Sequence, residues 1–274
     1  MTMPGIETIV CGVDSSPQGL EAVRQAEELG GEDSDVWGVG VWDPSLPVHA
    51  GIHAREVHRD LRDEAHANVR KAVDEFPGLR PMVVRGGEVA GLIAAASNLE
   101  ADVLAVGSHG SARMAGIILG SVATGVVHHA PCSVLIARRP ESNAAPKMIL
   151  HADDGSSDSR DAAGTAAEVA RRLGAAVTTL HVGSDWEATD RFGAGSSDVI
   201  EASGAETIVR RESGSAHREI ITVAAEIAAS LVVIGSRGKV GVRALGSVSE
   251  RVAHRAPCSV LVVRQGVHPR EEAP

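Results

Sequence analysis

The feature that most constrains this chain is an internal repeat. Residues 107–137 read GSHGSARMAGIILGSVATGVVHHAPCSVLIA, and residues 235–263 read GSRGKVGVRALGSVSERVAHRAPCSVLVV. The stretch from Ala130 to Leu135 is identical to that from Ala256 to Leu261. Both segments open with GS-x-G and carry a later GSV. Upstream, the stretch from Ile9 to Gly30, which opens IVCGVD and closes VRQAEELG, is matched more loosely by MILHADDGSSDSRDAAGTAAEVARRLG from Met148. Self-similarity at this period implies one structural unit built twice. The chain of 274 residues is long enough for each copy to bury its own core. The polar, proline-containing stretch PESNAAPK at 140–147 reads as a linker. This gives a first domain over 1–139, a second over 148–265 and a loose tail at 266–274.

Each copy alternates short β-branched runs with amphipathic ones. In the first, Ile6–Val13 predicts a strand. Asp14-Ser15-Ser16-Pro17 then supplies an N-cap and a first-turn proline for a helix. Leu20, Val23, Ala26 and Leu29 keep helical spacing up to Gly30-Gly31. Strands follow at 36–42, 82–85, 102–106 and 133–137, with helices at 55–75, 89–99 and 121–129. The second copy repeats the order at 148–153, 158–173, 176–182, 206–210, 217–229, 231–235, 247–255 and 259–263. Its second helix is missing from the pattern, because 183–205 is rich in Gly, Ser and acidic residues. Strand and helix in alternation predict an α/β fold: two tandem Rossmann-like domains, each a parallel sheet flanked by helices with right-handed crossovers. All-apolar strands such as VLAV and LVVI fit a sheet covered on both faces.

Composition excludes several classes of function. The formal net charge is −10, and no basic stripe is interleaved with aromatics, which argues against nucleic acid as a partner. Aromatic residues are only 2% of the chain, so the cores must be aliphatic. No run approaches the roughly 18 apolar residues of a membrane span, and no signal-like stretch opens the sequence, so a cytoplasmic location is expected and no membrane partner. Cys11, Cys132 and Cys258 are too far apart for a zinc motif and read as reduced, buried thiols. The 12 histidines recur at no ligand spacing, so no metal site is expected.

In open parallel sheets, ligands bind beyond the carboxyl ends of the strands where the strand order reverses. Two features lie at such ends. One is an aspartate after the first strand, Asp14 or Asp154. The other is a glycine-rich loop after the fourth strand, running into a helix as Gly107-x2-Gly110-x9-Gly120-Ser121. Glycines let backbone N–H groups approach an anion, and a helix N-terminus adds unpaired donors and a positive dipole end. His109, inside the loop, and Arg113, Lys239 and Arg243 could reach a phosphate or could simply be solvated. Asp14 and Asp154 could equally be ordinary helix N-caps.

The strand–Asp start, the G-x2-G-x9-G-S loop and the closing APCSVLI, in that order and in tandem, resemble the universal stress protein family over residues 5–138 and 147–264. The resemblance implies a five-stranded parallel sheet of order 3-2-1-4-5 in each half and, in many members, ATP or AMP at the seam between strands one and four. By position, Asp14 would then meet the nucleoside end and Val41 the adenine through its backbone. Gly107, Gly110, Gly120, Ser121 and Val122 would cradle ribose and phosphates. The second-half counterparts are Asp154, Val182, Gly235, Gly238, Gly246, Ser247, Val248 and Ser249.

Two departures separate the halves. The hydroxyl usually found two residues after the loop serine is replaced by Ala123 in the first half and kept as Ser249 in the second. The second loop is Gly238-x7-Gly246, two residues short, which is expected to contract the cradle or shift its N–H groups. Asp153 places an extra carboxylate beside Asp154, which costs affinity for a triphosphate unless Mg²⁺ offsets it. The expectation is a regulatory ATP-binding protein whose first site is the more competent, with any hydrolysis slow and incidental. It would associate through its apolar fifth-strand edges, as an intrachain pseudo-dimer or a homo-oligomer. The alternatives are a dimeric scaffold that binds no nucleotide, or an adenylating enzyme. The latter class needs a phosphate loop after the first strand, where residues 14–19 and 153–158 make a poor one.

Overall fold

The computed structural model describes residues 6–14, 16–45, 54–110, 119–138, 148–183, 196–237 and 245–264. The expected linker at 140–147, the tail at 266–274 and the candidate residues Gly238, Arg113, Lys239 and Arg243 lie outside them. Two compact bodies are present, one gathering Ile6–Arg113 with Gly120–Ser133 and the other Val134–Gln265.

The N-terminal body holds β1 (Thr8–Gly12), β2 (Asp35–Trp42), β3 (Arg80–Arg85) and β4 (Val103–Gly107). They run parallel in the order β3-β2-β1-β4. Its helices are α1 (Pro17–Gly30), α2 (Ala54–Glu75), α3 (Glu88–Asn98) and α4 (Ser121–His129). Helix α1 starts where the sequence provides a cap: Ser16 accepts a 2.9 Å hydrogen bond from the Gly19 N–H, and Pro17 fills the first turn. It buries Val23, Ala26 and Leu29 of the stripe that the helical spacing marks, together with Ala22, while Leu20 is only partly buried.

β5 (Ser133–Ala137) closes the first repeat, yet all but its first residue is counted with the C-terminal body. There it runs antiparallel to β10 (Ser259–Val263), with Leu135 opposite its repeat counterpart Leu261. The remaining strands are β6 (Met148–Asp153), β7 (Ala176–Val182), β8 (Thr207–Glu212) and β9 (Leu231–Gly235). With β10 they form a parallel sheet of order β8-β7-β6-β9-β10, the order 3-2-1-4-5 of the repeat. Four helices accompany it: α5 (Ser157–Leu173), α6 (Ser196–Ala202), α7 (Ala216–Glu226) and α8 (Ser247–Arg255). Helix α7 ends before the predicted residue 229, because Ala228 turns the chain at φ 48°; Glu100 does the same, also at φ 48°, after α3.

The one element on which the halves disagree has a packing cause. Helix α2 lies so close to β2 that a Cβ on Gly40 would sit 2.8 Å from the Ala65 carbonyl oxygen, while one on Gly38 would sit 2.6 Å from the side chain of Leu79, which follows α2 just before β3. The strand registers, Cys11 opposite Gly38 and His151 opposite Thr179, make Thr179 and His181 the counterparts of these glycines. Both are buried. A helix cannot approach a strand carrying those side chains as α2 does, and the described counterpart of the 22-residue α2 is the seven-residue α6. A polar cluster lies beside Thr179, on the neighbouring β6. His151, fully buried, donates from Nε2 to the Ser159 carbonyl at 2.9 Å, while the Ser159 hydroxyl donates to Asp153 at 2.8 Å. His151 Nδ1 and Thr179 Oγ1 are buried there without a hydrogen-bond partner.

Candidate functional site

The strand registers align the two candidate sites residue by residue. Ile9 pairs with Val103 in β1–β4, and Ile149 with Leu231 in β6–β9. Asp14 and Asp154 are therefore equivalent, each two residues beyond the last apolar strand position, and Val13 is equivalent to Asp153. Neither Asp14 nor Asp154 is the helix cap, which is Ser16 or Ser156. Each aspartate instead closes a turn, accepting from the backbone N–H two residues on: Ser16 at 3.1 Å and Ser156 at 3.0 Å. The Ser16 hydroxyl also donates to Asp14, at 2.6 Å. The carboxylate is thus oriented before any ligand arrives. In the N-terminal body, a Cβ on Gly110 would lie 2.9 Å from Asp14 Oδ2, so the glycine keeps the space beside the carboxylate open.

The loop glycines divide into two kinds. Gly107 and Gly235 hold the fold together. A Cβ on Gly107 would sit 2.7 Å from the Gln18 carbonyl carbon, and one on Gly235 would sit 2.8 Å from that of Asp158. They let the first turn of α1 or α5 press against the end of the fourth strand. Gly120 and Gly246 are different. They are the N-caps of α4 and α8, at φ −64° and φ −66°, conformations open to any residue. A Cβ on Gly120 would find only ordinary contacts, at 3.5 Å from His109 and Ser108. Neither helix has a side-chain cap, although serine or aspartate would fit the backbone. The first-turn N–H groups, at Ser121 and Val122 or Ser247 and Val248, therefore face outward without side-chain acceptors at the cap.

The described ends of the two loops are held alike. Gly120 N–H donates to the Ser108 carbonyl at 2.8 Å, and Gly246 N–H to the Ser236 carbonyl at 2.7 Å. The same bond pins both mouths, so the missing two residues do not displace the helix N-terminus as the sequence comparison led us to expect. The hydroxyl difference also loses weight. Ser249 is buried and its Oγ donates to the Gly235 carbonyl at 2.7 Å, while Ala123 is buried at the equivalent place.

In the C-terminal body these residues surround a cleft of about 300 Å³. It brings together Asp154, Val182, Gly235, Gly246, Ser247, Val248 and Ser249, as the sequence placed them. Leu180, Ile220 and Ile234 give it an apolar wall. Asp153 and Arg237 also line it. Burial opposes ionisation of Asp153, but the Gly155 N–H at 2.8 Å, His151 and the Ser159 hydroxyl together hold its carboxyl below the usual range. Burial keeps His151 below its usual pKa, partly offset by Asp153. Arg237 is a site residue that sequence reasoning missed. Its Nε donates to Asp158 Oδ2 at 3.1 Å, and the Ser236 hydroxyl donates to the same oxygen at 3.2 Å. The signal was present: Arg237 occupies the x of GS-x-G, where the first half has His109. His109 Nδ1 lies 3.1 Å from the Ser108 hydroxyl, and its Nε2 is buried without a partner. In the N-terminal body, Val41 lies on β2 opposite Val84, with its side chain against Gly91 of α3.

The model of the universal stress protein family matches residues 5–138 and 146–264. The chain belongs to the universal stress protein family. A universal stress protein of Mycobacterium tuberculosis is 29% identical, over 94% of this chain and 97% of its own length. One from Mycolicibacterium smegmatis is 30% identical, over 93% of this chain and 96% of its own. Among solved structures, a universal stress protein from Archaeoglobus fulgidus superposes with a TM-score of 0.74 at 27% identity, covering 96% of this chain and 98% of that one. Tandem architecture is thus shared over nearly the full length of these relatives. No helix among the described residues is long and apolar enough to cross a membrane.

Proposed function

We propose that this chain is a regulatory adenine-nucleotide-binding protein of the stress response, with ATP as its ligand and the C-terminal cleft as the better-supported site. The observation that carries this reading is the cleft between β6 and β9. It offers an apolar wall for a base, an oriented Asp154 at the nucleoside end, and an uncapped helix N-terminus for phosphate. Its volume of about 300 Å³ lies at the small end of ligand pockets, suited to a nucleoside with its phosphates reaching the loop. The N-terminal body would bind in the same manner through Asp14, Val41, Gly110, Gly120, Ser121 and Val122. Its mouth is pinned as in the other body, so the preference for the first site expected from loop length has no support at the pinned ends.

Binding would act by linkage, since a ligand that prefers one state stabilises it and the surfaces that go with it. Mg²⁺ would travel with the phosphates and offset the Asp153 and Asp154 carboxylates. Among the described residues no cluster of three metal-ligating side chains exists to hold it independently. Turnover is not part of the proposal, because Asp154 is committed to the Ser156 N–H and serves orientation. Cys11, Cys132 and Cys258 form no disulfide, which fits a reducing cytoplasm. The fifth-strand edges would be satisfied within the chain as an intrachain pseudo-dimer, leaving any homo-oligomer to form through another surface. Calorimetric titration of the purified chain with ATP and Mg²⁺, together with mass analysis of co-purified nucleotide, tests the reading. Saturable heat supports it. No heat at millimolar ATP and no bound nucleotide would leave the partner-binding scaffold as the better account.

A further inference from the structure

The geometry points to Arg237, held by Asp158, as the residue through which the C-terminal cleft distinguishes a phosphorylated nucleotide from its nucleoside. This inference rests on the nucleotide reading and goes further, by assigning the cleft's selectivity to one side chain.

Three observations converge on it. Arg237 lines the cleft at the start of the glycine loop, and Gly246, Ser247 and Val248 at the uncapped α8 N-terminus line the same cleft. Its guanidinium is not a freely moving surface charge, because Nε donates to Asp158 at 3.1 Å and the Asp158 side chain is only 9% exposed. Asp158 itself is fixed twice. Its main chain packs against Gly235, where a Cβ would sit 2.8 Å away, and its carboxylate also accepts from the Ser236 hydroxyl. A planar guanidinium oriented through Nε still presents the Nη edge, which can donate two parallel bonds to a phosphate.

Charge gives the assignment its physical need. Asp153 and Asp154 both line the cleft, and Asp158 is one turn away on α5. An incoming phosphate meets those carboxylates in a partly desolvated place, where repulsion is strong. Arg237 is the lining cation among the described residues that offsets them. Adenosine carries no such charge and needs no offset. The N-terminal body lacks this device, with His109 in place of Arg237 and Gln18 in place of Asp158.

The test is titration of the full chain with two probes, adenosine and ATP with Mg²⁺. The chain carries Gly120→Ser, which is expected to weaken phosphate binding at the N-terminal loop, and what remains of that site's contribution is common to every variant compared. With Arg237 present, ATP binds more tightly than adenosine. A lost charge-assisted contact is worth about ten- to hundredfold. Arg237→Gln is therefore expected to reduce the ATP-to-adenosine affinity ratio by at least about tenfold, with adenosine affinity changed less than about twofold. Arg237→Lys should recover part of the ratio through charge alone. Asp158→Asn, which loosens the positioning but also removes one repelling carboxylate, should lower the ratio less than Arg237→Gln does. A thermal midpoint on each variant shows that the fold is kept. If adenosine binds and the ratio is unchanged in Arg237→Gln, the assignment of Arg237 is overturned while the nucleotide reading stands. If neither probe binds with Arg237 in place, both fall together.

Discussion

Gly120→Ser should make the N-terminal body more stable and worse at binding anions. At φ −64° and ψ 163° the backbone of Gly120 accepts any residue, and a Cβ there meets nothing nearer than 3.5 Å. Serine would cap α4, supplying the acceptor that the helix lacks, which is worth only a few tenths of a kcal/mol over glycine. Replacing glycine also narrows the unfolded ensemble, adding roughly 0.4–1 kcal/mol where the native conformation is unstrained. The sum is a gain of about 0.5–1.5 kcal/mol. Gly107→Ala is the contrasting change. Its Cβ would sit 2.7 Å from a backbone carbon of Gln18, nearly an ångström inside normal contact, with main chain on both sides and no rotamer to yield. Overpacking of this kind costs about 1–3 kcal/mol. Urea unfolding of the three proteins reads both numbers from the midpoint at constant slope. Anion binding is then read from the same proteins by ATP titration. A serine at 120 that destabilises, or an alanine at 107 that is neutral, would refute the division between a packing glycine and a ligand-facing one.

Three further outcomes follow from the C-terminal body. Ser249→Ala should cost about 0.5–1.5 kcal/mol through loss of the buried bond to Gly235, with ATP affinity unchanged; a tenfold loss of affinity would return the hydroxyl to the phosphate site. Thr179→Val should stabilise by about 1 kcal/mol, because it removes a buried hydroxyl that has no partner, and a lowered urea midpoint would show that Oγ1 is satisfied. His151 has its pKa lowered in the fold, so the unfolded chain takes up its proton first. Its contribution is complete above the unfolded value of about 6.5 and is lost as pH falls below it. His151→Cys, which copies Cys11, should flatten the decline of the unfolding midpoint between pH 7 and 5. Asp153, whose pKa is also lowered, should add its own loss only below about pH 4. An unchanged pH 7 to 5 slope in His151→Cys would contradict this.

Most of the architecture was legible because local signals and packing agree. β5, β6, β7, β9, β10, α4 and α8 begin and end where apolar runs, APCS turns and GSV starts place them. Their limits are set by neighbouring residues, which sequence displays. What depended on a third dimension was not legible. Nothing in GVGVW shows that Gly40 is there to admit α2 and Gly38 to admit Leu79 after it, or that TTLHV fills the same positions with buried side chains. The site divides along the same line. The aspartates and the loop glycines were visible as a motif. Which glycines serve packing emerged only from their distances to Gln18 and Asp158. The shortened loop looked like a displaced cradle until the Ser236–Gly246 bond showed its ends pinned. Ser249 looked like a ligand hydroxyl because its commitment to Gly235 spans fourteen residues. Arg237 was hidden because a loop arginine looks solvated until its buried partner, 79 residues away, is seen.

The central claim is that the C-terminal cleft holds an adenine nucleotide, and a crystal structure of the chain grown with ATP and Mg²⁺ tests it most directly. The account predicts density between β6 and β9, with the base against Leu180 and Ile220 and phosphate oxygens at the N–H groups of Ser247 and Val248 near Arg237. An empty cleft at saturating ATP, or nucleotide bound elsewhere on the body, would contradict it.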